Sequence, residues 1–382
     1  MTTRASRATA AFDATPLANR AAGALRAYDP GHDLPELRKR FGDTIAELGS
    51  NENPLGPSPL AREAMLEALA QAHRYPDPRG AALKAALAER LGVDAGEIAL
   101  GNGSHELLML LAQCFADAEH SVVFPQYGFA VFPIATAAAG ARPLVAPALP
   151  RAHPTAPLGH DLDAIAAAIE DDTRLVYLAN PNNPTGTWFT DDALDSFLAR
   201  VPRDVLIVVD EAYHEYVDAP GLTTALSLRD RHPNLIVTRT FSKAHALAGL
   251  RAGFLVAHPS VIAVLDRLRE SFNVNGIALA AAEAALRDTA HLESVRAFNT
   301  AERDWLAGEL ARLGYACLPS QTNFVLVDLG IDAAPVERRL CERGVVARPM
   351  CGYGLPTALR ISVGTPGENE RLLESLRAAG TP

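Results

Sequence analysis

Thr240-Phe241-Ser242-Lys243-Ala244-His245-Ala246-Leu247-Ala248-Gly249-Leu250-Arg251 follows an apolar run at 235–238 that reads as a strand. A second apolar run ends in Val208-Val209-Asp210-Glu211-Ala212-Tyr213, which sets Asp210 33 residues ahead of Lys243. Most lysines are solvated surface residues. Lys243 differs in its neighbours: hydroxyls at Thr240 and Ser242 come just before it, and Arg251 lies eight residues beyond. Two hydroxyls and a guanidinium are the donors that a phosphate dianion takes.

One chemistry needs all of these residue types. A pyridoxal phosphate enzyme uses a lysine amine to hold the cofactor aldehyde as a Schiff base, and a carboxylate to keep the pyridine nitrogen protonated. The protonated ring is the sink for the electron pair left when a substrate loses its Cα proton. A nearby carboxylate such as Asp210 favours that cationic ring. Tyr213, three residues further on, is in reach of the phenolic oxygen. Lys243, Asp210 and Tyr213 are therefore the candidate catalytic residues.

The rest of the chain fits an enzyme of this size. At 382 residues it can bury a large core in two or three interwoven units of roughly 150 residues. Hydrophobic residues make up 48% and charged residues 21%, which excludes disordered and fibrous classes. A net charge of -10 argues against a general nucleic-acid binder, which gains affinity from a basic field. Cys114, Cys317, Cys341 and Cys351 show no C-x-x-C spacing, so neither a zinc site nor a disulfide framework is expected, and no metal. A reducing cytoplasm is the simplest compartment. The N-terminus carries Arg4 and Arg7 without a continuous apolar run, so it reads as an arm rather than a secretory signal. The longest apolar stretch, 129–141, is interrupted by Pro133 and falls short of the roughly 20 residues a membrane span needs.

Between about 60 and 285, short β-branched runs alternate with alanine-rich helical stretches, the pattern of a parallel sheet covered by helices on both faces. Strands are expected at 121–124, 174–178, 205–209 and 235–238. Helices are expected at 80–91, 106–115, 162–169 and 261–270. The chemistry-bearing residues follow strand ends, where ligands bind in open α/β sheets. After about 290 a long helix through Arg312, short strands and a helix near 335–343 predict a smaller α+β unit. The first 45 or so residues are expected to pack on that smaller unit or on a partner subunit.

Four further segments carry candidate residues. Gly101-Asn102-Gly103-Ser104-His105-Glu106 opens a helix after an apolar run, where free amides bind phosphate; an ordinary glycine turn with Ser104 as N-cap is the plainer reading. Glu106 stands where a dinucleotide fingerprint needs glycine. Asn180-Pro181-Asn182-Asn183-Pro184-Thr185-Gly186 makes a rigid turn that aims the amide of Asn183 at one point. Tyr127, in Pro125-Gln126-Tyr127-Gly128-Phe129, begins the next helix and is placed to stack on a cofactor ring, although an aromatic there more often belongs to a core. Arg348 and Arg360, 12 residues apart around Gly352-Tyr353-Gly354, clamp a substrate anion if they converge.

In this order the segments resemble the fold type I aminotransferases, and within them the histidinol-phosphate aminotransferase family. The match includes Ser50-Asn51-Glu52-Asn53-Pro54-Leu55-Gly56, Arg74-Tyr75-Pro76-Asp77, Phe272-Asn273-Val274-Asn275 and Arg360-Ile361-Ser362-Val363-Gly364. The resemblance implies a mostly parallel seven-stranded sheet sandwiched by helices, with a smaller α+β domain built from the C-terminal part and the N-terminal arm. It divides the chain into an arm at 1–45, a large pyridoxal phosphate domain at 46–285 and a small domain at 286–382.

It further implies that Lys243 holds the cofactor and moves the Cα proton, and that Asp210 pairs with the ring nitrogen. Asn183 and Tyr213 would hold the phenolic oxygen while Tyr127 stacks on the ring. Ser104, His105, Thr240, Ser242 and Arg251 would hold the phosphate, with Tyr75 reaching across from the second subunit of a homodimer. Tyr28, Asn53, Arg348 and Arg360 match substrate-binding positions. The implied reaction is transfer of the amino group of L-histidinol phosphate to 2-oxoglutarate; an aromatic aminotransferase, or a decarboxylase of a phosphorylated amino acid, are the rivals. His105 and His245 depart from the family pattern, which has an acidic residue or asparagine at the first and an aromatic at the second.

Overall fold

The structure is a computed structural model that describes residues 12–25 and 34–378. The first strand, β1 (Ala46–Glu47), stands apart from the main sheet. That sheet comprises β2 (Ile98–Gly101), β3 (Ser121–Pro125), β4 (Arg142–Ala146), β5 (Thr173–Ala179), β6 (Leu206–Asp210), β7 (Leu235–Thr240) and β8 (Gly253–Val256). Its spatial order is β2-β8-β7-β6-β5-β3-β4. All neighbours run parallel except β8, which is antiparallel to both β2 and β7. The mostly parallel seven-stranded sheet expected from the resemblance is present.

Alternation along β5 shows why its sequence is apolar throughout. Val176 and Leu178 enter the core on one face with Leu87, Phe197 and Ala282, while Leu175, Tyr177 and Ala179 enter the other with Leu107, Phe132 and Leu265. Both faces are covered by helices, so neither parity of residues can be polar. Tyr177 settles its hydroxyl inside this core by donating to the Leu108 carbonyl at 2.7 Å.

The observed strands reach further than the apolar pattern alone marks. β6 and β7 include Asp210 and Thr240, because their backbones still pair, Asp210 with Thr238 and Thr240 with Gly253. The helix expected from 106 begins at Gly103 (Gly103–Phe115), so Ser104 lies inside its first turn and is not the N-cap. Asn102 is the N-cap, and its side chain makes no capping hydrogen bond. Tyr127 does not begin a helix: the next one is Val131–Ala138, and Tyr127 sits in the turn before it. Pro133 falls in that helix's first turn, where no intrahelical N–H is lost.

A smaller unit follows, with β9 (Ala316–Cys317), β10 (Phe324–Asp328), β11 (Val345–Val346), β12 (Arg348–Pro349) and β13 (Ala358–Ser362). Four of these form an antiparallel sheet ordered β12-β13-β10-β9, and β11 pairs in parallel with β1. Ala46 and Leu48 are buried in this unit's core beside Leu310, Val325 and Leu372. Residues 46–48 thus belong with the smaller core, although 46 was the expected start of the large domain.

The 24-residue helix Thr289–Arg312 joins the two units. Its Val295 packs with Tyr213, Ala244 and Phe324, while Leu306 and Leu310 enter the smaller core. The N-terminal arm divides its contacts. Arg20–Ala24 lies against Val131–Ala138 of the larger unit, and Phe41 borders Gly344 of the smaller one.

Where β8 meets the helix Gly103–Phe115 there is no room for a side chain: a Cβ on Gly253 would stand 2.5 Å from Ser104 N and 2.6 Å from Gly103 C. Both are backbone atoms and cannot swing away. Gly253→Ala is expected to lower stability by about 1–3 kcal/mol in urea unfolding, through overpacking alone. An unchanged midpoint would show that this contact is looser than described.

Candidate active site

The C-terminal ends of β2, β5, β6 and β7, the start of β8 and the smaller unit enclose a cavity of about 450 Å³. Eleven of the residues singled out from sequence line it: Ser104, His105, Asn183, Asp210, Tyr213, Thr240, Ser242, Lys243, Arg251, Arg348 and Arg360. They fall into a floor, a polar cup and a cationic wall.

Asp210 forms the floor. It is 4% exposed, and its carboxylate accepts from Thr238 Oγ1 at 2.8 Å. Burial pushes its pKa up to about 7, with the neighbouring Glu211 adding to the rise. Glu211 goes the other way. Burial would raise it, but Arg239, His214 and the Ala225 amide hold it below the usual range. Arg239 donates to Glu211 from both Nε and Nη2. Of two adjacent buried carboxylates, one is matched by a guanidinium and the other faces the cavity without a cation in ion-pair contact among the described residues.

Lys243 is half-buried in the wall above. Its Nζ donates to the carbonyls of Asn51 (3.2 Å) and Ser50 (3.3 Å), and lies 5.9 Å from the ring centre of Tyr213. Burial, with the guanidiniums of Arg360 and Arg251, lowers its pKa to about 8. The lowered value enlarges the neutral fraction of the amine near neutral pH, the form that can act as nucleophile and base. Tyr213 is fully enclosed, accepts from Asn51 Nδ2 at 2.9 Å and is pushed up to about 12 by burial.

At the opposite end is the cup. Thr240 Oγ1 donates to Ser242 Oγ, and Arg251 Nη1 reaches Ser242 Oγ at 3.3 Å. The same guanidinium lies against Gly103, at the uncapped start of the helix Gly103–Phe115, where a Cβ would come within 2.5 Å of Nη2. Amides at a helix start, two hydroxyls and one guanidinium fit a phosphate. His105 stands at the rim, its pKa lowered by burial and by Arg251.

The cationic wall comes from the smaller unit. Arg348 and Arg360 are directly opposed in the β12–β13 register. Arg360 is 8% exposed; Nη1 donates to Asn183 Oδ1 at 2.7 Å and Nη2 to the Gly49 carbonyl at 2.6 Å, while Nε has no partner. Burial lowers its pKa, and Arg348 contributes to that shift. Phe129, Val131, Ile134, Met350 and Tyr353 supply the apolar remainder of the wall.

Three candidates lie elsewhere, and a fourth is outside the described residues. Tyr127 is not in the cavity lining: its half-buried ring packs against the cluster of Leu158, Leu318 and Met350, because the helix starts four residues later than expected. Asn53 braces the lysine segment, donating to the Ala244 carbonyl at 2.9 Å. Tyr75 is 83% exposed and stacks on Phe272 at 4.8 Å. Tyr28 lies outside the described residues. The functional residue that sequence reasoning missed is Asn51. Held at φ +57°, it links Tyr213, Lys243, Ser362 and Asn323 in one set of hydrogen bonds. Its signal was its position in the Ser50-Asn51-Glu52-Asn53 run, since asparagine is among the few residues that accept a left-handed backbone.

Pyridoxal phosphate fits this donor set: a carboxylate lacking a cation at the floor, an amine above it, and a phosphate cup at one end. The fold and site define a pyridoxal-phosphate-dependent aminotransferase of fold type I. A family model described as aminotransferase class I and II matches residues 43–376. Histidinol-phosphate aminotransferase 2 of Pseudomonas aeruginosa is 48% identical over 355 residues, covering 92% of this chain and 94% of that protein. Histidinol-phosphate aminotransferase 1 of Nitrosococcus oceani is 46% identical over 353 residues, with 92% and 94% covered. The crystal structure of histidinol-phosphate aminotransferase from Sinorhizobium meliloti in complex with pyridoxal-5'-phosphate is similar at a TM-score of 0.83 and 33% identity, covering 94% of this chain and 97% of that one. The chain belongs to the class I and II aminotransferase family and, within it, to the histidinol-phosphate aminotransferases.

Asp210 carries a pH signature. Its folded pKa lies above the unfolded value of 3.8, so the folded state binds more protons and stability falls as pH rises from about 4 to about 7. In cofactor-free protein, Asp210→Asn is expected to raise stability at pH 8 by roughly 2–4 kcal/mol, with the gain vanishing near pH 3.5. Thermal or urea unfolding across that range checks it; a gain independent of pH would mean that the carboxylate is not the cause.

Proposed function

We propose that this enzyme transfers the amino group of L-histidinol phosphate to 2-oxoglutarate, giving imidazole acetol phosphate and L-glutamate, a step of histidine biosynthesis. The observation that carries the reading is the opposed pair Arg348 and Arg360 on the cavity wall. Like charges directly opposite on a ladder repel, and an anion bound between them offsets that repulsion. A phosphate ester at the distal end of the substrate matches two guanidiniums, and the carboxylates of 2-oxoglutarate and glutamate match them in turn. The names of the relatives point the same way.

When bound, pyridoxal phosphate supplies an aldehyde that takes an amine and a ring that stores the electron pair released at the substrate's Cα. The chain's residues do the rest. Asp210 is the carboxylate that would face the cofactor's ring nitrogen and favour its charged form. Asn183 and Tyr213 would hold its phenolic oxygen, and Asn51 holds the Tyr213 hydroxyl in place. Ser104, His105, Thr240, Ser242 and Arg251 would hold its phosphate. Lys243 Nζ is the amine that would hold its aldehyde and the base that would carry the proton from the substrate's Cα. Phe129 and Tyr353 enclose the substrate ring and shut water out. Asn53 acts through the lysine segment rather than by touching substrate.

The reading extends to a homodimer and to the cytoplasm. Leu66, Leu69, Tyr75, Leu268 and Phe272 expose large apolar surfaces, an arrangement suited to a partner copy, with Tyr75 completing the partner's phosphate cup. No helix among the described residues is long and apolar enough to cross a membrane.

Half-reaction kinetics test the assignment. Lys243→Ala is expected to abolish turnover, and Arg348→Ala to lower kcat/KM for histidinol phosphate by about 10²-fold, roughly 2–3 kcal/mol, while changing phenylalanine by less than about threefold. Equal losses on the two substrates would remove the phosphate clamp from the mechanism. Sedimentation is expected to give a dimer, and Tyr75→Ala to weaken pyridoxal phosphate binding; a monomer that binds it normally would refute the shared site.

A further inference from the structure

A second cavity, of about 680 Å³, lies behind the segment that carries Lys243. Thr240 borders both cavities, and Phe241 and His245 line the second from either side of Lys243 in sequence. His245 is 6% exposed, packs 5.1 Å from the Phe241 ring, and has no hydrogen-bond partner among the described residues. Arg239, also 6% exposed, engages Glu211 and Thr224 through Nε and Nη2, which leaves Nη1 without a partner. Both side chains line the cavity, where an occupant can accept a hydrogen bond from them.

Arginines outnumber carboxylates in the lining. Arg90 and Arg296, both exposed, line the cavity and donate to the carbonyls of Leu286 and Val217; neither is in ion-pair contact with a carboxylate among the described residues. Arg229 is shared with Glu97 and Asp230. Glu215 is the single carboxylate in the lining. The chain as a whole carries -10, so a cationic cavity is not a by-product of composition. Leucines and Phe254 make up much of the remaining wall.

We propose that this second cavity binds a small organic anion, a carboxylate or phosphate on an apolar body. The arginines and His245 meet its charge, and the leucines and Phe254 meet its body. The site is distinct from the one that holds cofactor and substrate and does not depend on which amino acid the enzyme takes.

Calorimetric titration of the holoenzyme with 4-bromobenzoate and with phenyl phosphate tests it, alongside the neutral 4-bromobenzyl alcohol. At least one of the two anions is expected to give a binding component that survives Arg348→Gln and weakens about tenfold or more in Arg90→Gln/Arg296→Gln. His245→Leu serves as a second, interior variant and is expected to weaken the same component. The bromine anomalous signal of soaked crystals places the ligand. The proposal falls if neither anion binds below about 10 mM, if the alcohol binds as tightly, or if the component is lost with Arg348→Gln and kept in the double variant. It also falls if the bromine appears only in the first cavity.

Discussion

A carboxylate buried without a cation at the end of a central strand is the constraint around which the structure is arranged. Water would solvate Asp210 better than this position does, and burial raises its pKa accordingly. The position is enforced from both sides. The β6 ladder holds its backbone to β5 and β7, and Thr238 holds one carboxylate oxygen. Glu211 shows that the fold can neutralise a buried acid where it needs to, since Arg239 sits on it at 2.8 Å. Leaving Asp210 unmatched beside it makes a site with an unmet demand for positive charge, which the proposed contact with the cofactor's ring nitrogen would meet. On that reading, structural stability given up at the floor returns as cofactor affinity.

The smaller unit depends on the same cavity. Arg360 spans the boundary between the two units, with hydrogen bonds to Asn183 on the loop after β5 and to Gly49 beside β1. Asn51 does the same from the other direction, with contacts to Tyr213 and Lys243 on one side and to Ser362 and Asn323 on the other. Two polar residues therefore register the units at the cavity, beside an apolar joint in which Tyr213 and Ala244 meet Phe324 and Val295 of the helix Thr289–Arg312. Polar registration fixes angle and distance, which apolar packing does only loosely. Residues from both units can then address one substrate with a defined separation.

Much of this was legible in the chain itself. The parallel sheet announced itself through runs such as Leu206-Ile207-Val208-Val209, apolar at every position because both faces are covered. Asp210 and Lys243 stood out because they break such runs at strand ends. Boundaries were less legible. The pattern could not show that Asp210 and Thr240 remain in the ladder, since backbone pairing leaves no trace in polarity. The start of one helix was not legible: with Pro133 in its first turn, the helix begins at Val131 and leaves Tyr127 in the preceding turn. The assignment of 46–48 failed for a different reason, because a two-residue strand paired with a segment some 300 residues away has no local signature.

The paired arginines show how geometry sharpens what spacing left open. Twelve residues apart in sequence, Arg348 and Arg360 are each compatible with surface ion pairs. In the structure they occupy facing positions of one antiparallel ladder, and the inner one is almost fully buried with Nε unmet. Neither fact is economical for a protein that works alone, since Arg348 adds to the cost that burial puts on the charge of Arg360. Both are reasonable for one whose two substrates are anions that alternate in the same space. On the proposed reading, the dianion of a phosphate ester would draw on both guanidiniums and a carboxylate on the inner one alone, so that the outer arginine would discriminate between substrates without altering the chemistry at Lys243.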